Sequence, residues 1–311
     1  MINLLLTISS IFGYILLGFL LNKMDIISYL LSKIFIFMSF NILLPITLIT
    51  NFWQISFPNI IFYQLILSFF GAGIIIFITG FYISKKIYKF DTDDSALFGL
   101  GACFGNSVAL GIPLVYSILG PNKAMPYMVL VLFHGVIHFT YTTLIIEGYR
   151  NRKHSIFKIF IKALFGLFSN IVLISMLIGI ALNYFKIIFP YELKIFLIPI
   201  SKLALPAILL SLGFSLSKFK IENDILPSII LTCLKNIAHP IIAFIIAKYI
   251  FSMSDLLVFI ITIAAALPSG SQTYYFSYRY NSLQKIISTN ILLSTFFSFF
   301  TLFFLISIFD Y

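Results

Sequence analysis

Long apolar stretches alternate with short polar segments along the whole chain. Ten of these stretches reach about 20 residues, the length that a helix needs to cross the hydrocarbon core of a bilayer. They lie near 3–21, 33–52, 59–83, 96–119, 124–147, 163–185, 195–217, 225–250, 255–278 and 286–309. The pattern therefore predicts an all-α integral membrane protein with ten transmembrane helices.

Two of the ten predicted helices are interrupted by residues that disfavour a continuous helix. The fourth carries the segment 104–113, FGNSVALGIP, and the ninth carries 267–272, LPSGSQ. Backbone polar groups at bilayer depth need partners inside the protein, so such segments occur only where they face protein or a water-filled cavity. Interrupted helices in corresponding places of the two halves of a chain are typical of the binding site of a secondary transporter.

The composition agrees with this class. Hydrophobic residues make up 61% of the chain and charged residues only 10%, with a mean hydropathy of +1.09. The first apolar run is followed by Asn22 and Lys23 instead of a small-residue cleavage site, so we expect a retained helix and not a signal peptide. Cys103 and Cys233 both lie in apolar segments and predict no disulfide framework.

Basic residues in the connections indicate the orientation in the membrane. Fourteen Lys and Arg residues lie in the connections that follow odd-numbered helices, and four lie in those that follow even-numbered helices. Because basic loops stay on the cytoplasmic side, we expect a protein of the cytoplasmic membrane with both termini outside. The net charge of +10 then reflects this asymmetry and contact with anionic lipid head groups, and it does not indicate nucleic-acid binding.

The two halves of the chain resemble each other. One offset of 161 residues aligns three pairs of positions: 17–22 with 178–183, Lys33 with Lys194, and 44–45 with 205–206. Such self-similarity indicates an internal duplication. Since each copy has five helices, the second enters the membrane from the opposite side. We therefore expect an inverted repeat of residues 1–149 and 163–311, joined by a basic cytoplasmic linker at 150–162.

In this arrangement the interrupted fourth and ninth helices cross near the middle of the membrane. Pro113 and Pro268 each suit the first position of a second half-helix, whose free N–H groups and positive dipole end attract an anion. The alternative is a structural role, in which Asn106 satisfies backbone groups and the Ser and Gln side chains bond between helices. The candidate substrate-binding residues of the two breaks are Gly105, Asn106, Ser107, Pro113, Pro268, Ser269, Gly270, Ser271 and Gln272.

Ionisable residues inside membrane helices are functional candidates by default. Lys235 of the eighth helix is a further candidate for substrate binding, where it would balance a carboxylate or pair with backbone carbonyls. His239, one turn later, His134 and His138 of the fifth helix and Asn41 of the second are candidate coupling or lining residues. All ten carboxylates lie at helix ends or in loops, which leaves uniport, exchange or proton coupling through histidine. The histidines lack nearby Cys, Asp or Glu, so no metal site or cofactor is expected.

Two segments carry a family resemblance. Segment 106–114, NSVALGIPL, resembles the NTGFLGIPL signature of the auxin efflux carrier family, which includes bacterial malate permeases and plant auxin exporters. Segment 206–213, PAILLSLG, is similar to the PLALLSLG segment of that family's seventh helix, and Pro268 matches its ninth-helix proline. The resemblance spans the whole chain. Val108 and Ala109 stand where the family has Gly and Phe, so the identity of the substrate is not carried over.

The resemblance implies a carrier that moves small organic anions across the cytoplasmic membrane, with Asn106 offering its amide to a substrate carboxylate. An anion channel is the main alternative. A lipid-modifying enzyme inside the membrane is a weaker one, because the chain has no nucleotide-binding, zinc-protease or nucleophile-elbow motif. We therefore expect a transporter and not an enzyme, with an organic anion and membrane lipids as partners. The sequence leaves open whether the protein forms a homodimer.

Overall fold

The computed structural model of the protein describes residues 2–54, 62–150, 171–222 and 225–309. Within these ranges the chain is helical and contains no β-strand. Seven helices are long enough and apolar enough to cross a membrane, and two shorter ones are also apolar. The prediction of an all-helical chain is confirmed, and the apolar helices agree with an integral membrane protein. The number of ten spans stays a prediction.

The described part of the chain contains fourteen α-helices and four π-helical turns. The helices are α1 (Ile2–Lys23), α2 (Tyr29–Met38), α3 (Leu44–Gln54), α4 (Phe62–Ile87), α5 (Thr92–Cys103), α6 (Ile112–Lys123), α7 (Met125–Tyr149), α8 (Ile171–Tyr184), α9 (Tyr191–Leu216), α10 (Leu226–Cys233), α11 (His239–Ile245), α12 (Asp255–Ala266), α13 (Gln272–Tyr280) and α14 (Gln284–Phe309). Residues 59–61 of the third predicted span, 163–170 of the sixth and 151–162 of the predicted linker lie outside the described residues.

Three of the π-helical turns end two residues before a proline. A proline inside a helix has no N–H to donate, and its ring collides with the carbonyl four residues back. In each case the residue before the proline donates instead to the carbonyl five residues back, which widens the turn and lets the helix continue. The turns are Ser39–Leu43 before Pro45, Ser107–Gly111 before Pro113, and Leu234–Ala238 before Pro240.

The helices pack as two bundles. In the first bundle α1 packs on α9, and α3 packs on both α8 and α9. In the second bundle α4, α5 and α7 pack together with α10 to α14. Contacts between the bundles come from α1 against α6 and α14, and from α9 against α6 and the π-helical turn Ser107–Gly111. The interrupted helices therefore belong to the second bundle and touch the first beside one of their breaks.

Two helix pairs of the first bundle cross at glycines. A Cβ added to Gly18 of α1 would lie 2.2 Å from the carbonyl oxygen of Leu210 in α9. A Cβ added to Gly179 of α8 would lie 2.8 Å from the carbonyl oxygen of Ile49 in α3. The offset of 161 that carries Gly18 to Gly179 also carries Ile49 to Leu210. The same close crossing is thus made twice, with the roles of the two halves exchanged.

The crossing at Gly18 predicts different effects for two substitutions in α1. Gly18→Ala pushes a methyl group against the backbone of Leu210, and overpacking of this kind costs about 1–3 kcal/mol. Gly13→Ala is the matched control, because its methyl group meets no atom within 4 Å and alanine favours a helix. We expect the apparent Tm in detergent, measured by thermal shift, to fall for Gly18→Ala and to hold or rise for Gly13→Ala. Equal Tm values for the two variants would contradict the crossing.

Candidate functional site

The two interrupted helices meet at their breaks. α5 ends at Cys103 and α12 ends at Ala266, and each is followed by a short non-helical stretch. The two stretches run antiparallel, and Gly105 pairs with Ser269 as an isolated β-bridge. The polar breaks found in the sequence are therefore in direct contact.

Two reciprocal hydrogen bonds join the breaks. The Asn106 N–H donates to the Pro268 carbonyl at 2.8 Å, and the Gly270 N–H donates to the Phe104 carbonyl at 3.0 Å. One offset of 164 residues relates the two bonds, since it carries Asn106 to Gly270 and Phe104 to Pro268. Each break supplies backbone partners that the other lacks, as burial at membrane depth requires. We call residues 104–106 and 268–270 the crossover.

The two prolines occupy different places in their helices. Pro113 is the second residue of α6, and Ile112 before it stays helical. Pro268 lies in the crossover, and Leu267 before it is extended, with ψ at 145°. A residue that precedes proline is pushed toward the extended region, so Pro268 marks the end of α12. The prediction that Pro268 begins the second half-helix does not hold, because α13 starts only at Gln272.

The carbonyl ends of α5 and α12 are satisfied in different ways. The Gly101 carbonyl accepts hydrogen bonds from Ser269 Oγ at 3.2 Å and from Asn290 Nδ2 at 3.3 Å. The Ala265 carbonyl, which the offset of 164 relates to Gly101, accepts from Lys235 Nζ. The last turn of a helix leaves its carbonyls without intrahelical donors, so these side chains complete both helix ends.

Lys235 brings a basic amino group to the crossover. Its side chain is fully buried, and Nζ lies 3.5 Å from the place that a Cβ on Gly105 would take. Nζ also lies 3.4 Å from His239 Nδ1. No carboxylate in the described ranges forms an ion pair with this amino group. Charging an amino group that is buried without an ionic partner is costly.

Asn106 contributes an unpaired donor to the crossover. The residue is only 2% exposed, and its Nδ2 has no acceptor among the described residues. Its neighbour Ser107 is bound locally, since Ser107 Oγ donates to the Gly105 carbonyl at 3.4 Å and the Ser107 carbonyl accepts from Tyr127 Oη at 2.6 Å. A buried donor left unsatisfied costs about 1–3 kcal/mol. Nδ2 of Asn106 is therefore a buried donor that still lacks an acceptor.

The three predicted histidines lie together beside the crossover. Their rings surround Phe69 of α4, with centroid distances of 5.7 Å for His134, 6.5 Å for His138 and 5.9 Å for His239. All three are buried. Nε2 of His134 contacts the backbone of Gly105, and Nδ1 of His138 lies 2.8 Å from the His134 carbonyl. The structure thus joins residues from the fifth and eighth predicted spans in one cluster.

Other predicted residues lie apart from the buried site. Asn41 is exposed, and its Nδ2 donates to the Phe37 carbonyl of its own helix at 3.0 Å. The structure therefore does not bring Asn41 to the crossover. Gln272 is exposed and Ser271 half-buried at the start of α13, whereas Ser269 is buried. The buried part of the site is the break itself and not the polar residues that follow it.

Sequence reasoning missed three polar residues that support the crossover. Ser294 Oγ accepts from the Ser269 N–H at 3.0 Å, and the Ser294 carbonyl accepts from Asn236 Nδ2 at 2.8 Å. Asn290, one turn before Ser294 on α14, is the residue that bonds Gly101. Polar residues four positions apart in an apolar helix lie on one face, and this spacing was the available signal.

A cavity of about 810 Å³ lies between the π-helical turn Leu234–Ala238, α11, α12 and α14, and no residue of the crossover lines it. Asn236, Lys248 and Asp255 are the amide and charged residues of its lining. Gly105, Asn106 and the other residues of the crossover are buried. The crossover is therefore sealed from solvent in this conformation.

Charged side chains join the ends of α5, α7 and α13. Arg150 pairs with Asp93, and Tyr280 Oη donates to Glu147 Oε1 at 3.2 Å. Burial raises the pKa of Asp94 above its ordinary value. This cluster ties one half of each interrupted helix to α7, away from the crossover.

Apolar helices long enough to span a membrane, packed as two bundles, agree with a polytopic membrane protein. A family model described as Membrane transport protein matches residues 4–306. Because this match covers nearly the whole chain, the protein belongs to that family, the auxin efflux carrier or membrane transport protein family. The resemblance drawn from segment 106–114 is thereby confirmed. A comparison with curated proteins gave no match.

The crossover predicts unequal effects for alanine at its two glycines. A Cβ on Gly270 would lie 2.8 Å from the ring of Phe104 and 2.9 Å from the Gly105 carbonyl, so Gly270→Ala strains the paired breaks. A Cβ on Gly105 would meet its neighbours at 3.5 Å, which is ordinary contact. Gly270→Ala should lower the free energy of unfolding by about 1–3 kcal/mol and thereby lower the Tm measured by thermal shift. Gly105→Ala should change the Tm little. The reverse order would show that the breaks are not paired in this register.

Proposed function

We propose that the protein is a secondary carrier that moves small carboxylates across the cytoplasmic membrane by alternating access, with the substrate bound at the crossover. One observation carries this proposal. The described residues place a buried lysine amino group without a carboxylate partner, that of Lys235, next to a break that holds a buried amide donor without an acceptor, Asn106. A carboxylate supplies both missing partners, because it offers a negative charge and two acceptor oxygens.

Helix ends add to the attraction for an anion. The π-helical turn at Ser107 and α13 at Gln272 both begin beside the crossover. The first amides of a helix have no intrahelical acceptor, and the aligned peptide dipoles make this end positive. The carbonyl ends of α5 and α12, which would repel an anion, are instead covered by side-chain donors such as Ser269 and Lys235.

The proposed architecture is ten transmembrane helices in two inverted repeats, residues 1–149 and 163–311, joined by the linker at 150–162. Two sets of contacts support it. The offset of 161 relates the contact of Gly18 with Leu210 to the equivalent contact of Gly179 with Ile49, with the two halves interchanged. An offset of 164 relates the two hydrogen bonds of the crossover in the same way. Reciprocal contacts of this kind are what a two-fold axis in the membrane plane produces.

The two bundles provide the parts for alternating access. The crossover belongs to the second bundle, and the adjoining turn Ser107–Gly111 packs on α9 of the first. A movement of one bundle against the other would expose the sealed crossover to one side of the membrane and then to the other. The distribution of basic residues supports an orientation with both termini outside.

The two alternatives make different predictions. An anion channel needs a continuous pore, whereas the crossover is closed by the Gly105–Ser269 bridge. Channel flux would rise with anion concentration without saturating. An intramembrane enzyme would convert its substrate chemically, and the family match favours transport without bearing on that reaction.

Transport of labelled carboxylates into liposomes that contain the purified protein tests the site through Asn106. We expect saturable uptake of at least one mono- or dicarboxylate. Asn106→Ala removes a donor to a charged group, an interaction worth about 1.5–3 kcal/mol, so KM should rise by roughly 10- to 100-fold. Asn41→Ala is the matched control, because this amide is exposed and bonded within its own helix. Unchanged KM for Asn106→Ala, or equal effects in both variants, would remove Asn106 from the binding site.

Lys235 gives a second, independent test in the same liposomes. Lys235→Gln keeps a hydrogen-bond donor near the Ala265 carbonyl and removes the charge, so we expect carboxylate uptake to fall by more than about tenfold. Lys202→Gln is the control, since Lys202 lies on the membrane helix α9 and is exposed. Uptake by Lys235→Gln equal to that of Lys202→Gln would mean that the buried charge does not serve the substrate.

A further inference from the structure

His134 touches the backbone of the crossover with one ring nitrogen. Its Nε2 lies 3.2 Å from the Gly105 nitrogen and 3.1 Å from the Gly105 carbonyl oxygen. The side chain is buried, and its ring packs on Phe104 with a centroid distance of 4.3 Å. Nδ1, the other ring nitrogen, has no partner among the described residues. Nε2 of His134 thus faces both a donor, the Gly105 N–H, and an acceptor, the Gly105 carbonyl.

Each of these two contacts suits one protonation state of Nε2. Without a proton, Nε2 can only accept, and the Gly105 N–H is the donor within reach. With a proton, Nε2 can only donate, and the Gly105 carbonyl is the acceptor within reach. The imidazole can therefore gain or lose a proton while keeping a hydrogen bond to the crossover, with little movement of the ring.

The other titratable groups around His134 include no carboxylate within the described ranges. His138 shares α7 with it, at a ring distance of 4.6 Å, and Tyr141 follows on the same helix. α5 contributes Cys103, whose Sγ lies 3.3 Å from Tyr141 Oη. Lys235 of the π-helical turn Leu234–Ala238 and His239 of α11 lie across the site from α7. Helix α4 contributes Phe69 and the backbone of Gly73. A proton added to His134 therefore makes the cluster more positive.

We propose that His134 is the proton-binding residue of the carrier and that it couples proton uptake to the binding of the carboxylate at Gly105 and Asn106. This inference rests on the proposed function and adds the coupling ion to it. The charged imidazole attracts the carboxylate, and by linkage the carboxylate favours the charged imidazole by the same factor. When one proton enters with one carboxylate, the loaded and the empty site carry the same net charge. The moving bundle is then spared the cost of an extra charge inside the membrane.

The test uses the full-length protein in liposomes loaded with a pH-sensitive dye. For the wild-type protein we expect carboxylate addition outside to acidify the lumen, and a one-unit pH gradient, acid outside, to drive about tenfold accumulation for one-to-one symport. His134→Gln keeps a neutral side chain that can bond Gly105 and cannot carry the proton. It should exchange labelled for unlabelled carboxylate at equal pH only with a raised KM, because the charged imidazole no longer attracts the anion, and it should lose both the dye signal and the gradient-driven accumulation. His138→Gln, the same change one turn away, should keep the dye signal.

Three results would overturn the assignment of His134. Saturable carboxylate uptake by the wild type without a dye signal would leave the proposed function standing and refute proton coupling. A dye signal retained by His134→Gln, or lost only in His138→Gln, would place the proton elsewhere. The absence of any carboxylate transport by the wild type would refute the proposed function itself.

A measurement on the wild-type protein covers the case in which His134→Gln does not fold. Calorimetric titration with the transported carboxylate, in buffers of different ionisation enthalpy, counts the protons taken up on binding. We expect about one proton per carboxylate near neutral pH. No uptake at any pH between 5 and 8 would refute the coupling.

Discussion

The structure depends on one constraint: backbone groups exposed by a broken helix at membrane depth must find partners inside the protein. The two breaks meet this constraint together. Asn106 and Gly270 donate to carbonyls of the opposite break, and Gly105 pairs with Ser269. Because neither break can be buried alone, the two halves of the chain have to cross here. The crossing fixes the position of the helix ends, of Lys235 and of the histidines around it.

The two breaks make equivalent backbone hydrogen bonds, but different side chains cap the helices that end at them. In one half the Ser269 hydroxyl caps the carbonyl of Gly101. In the other half the equivalent position is Gly105, which has no side chain, and Lys235 reaches into that space to cap Ala265. A hydroxyl cap is thereby replaced by an amino group, which we propose binds the carboxylate.

The sequence predicted the helical class, both breaks and the polar residues at them, because Gly, Asn and Pro together disfavour a continuous helix within an apolar segment. It also placed Lys235 and His239 on one face. It misplaced Pro268, since a proline is equally a signal for the end of one helix and the start of the next. It could not show that Asn41 points outward or that His134 reaches Gly105, because both depend on how helices distant in sequence pack. Asn290 and Ser294 were readable as a polar face and were missed.

The central claim is that the crossover binds a carboxylate between Asn106 and Lys235. An experimental structure of the protein with a transported carboxylate in a membrane-like environment tests it most directly. The account predicts the carboxylate within hydrogen-bonding distance of Asn106 Nδ2 and beside Lys235 Nζ. A carboxylate bound instead in the cavity between α11 and α14, with the crossover still sealed, would contradict it.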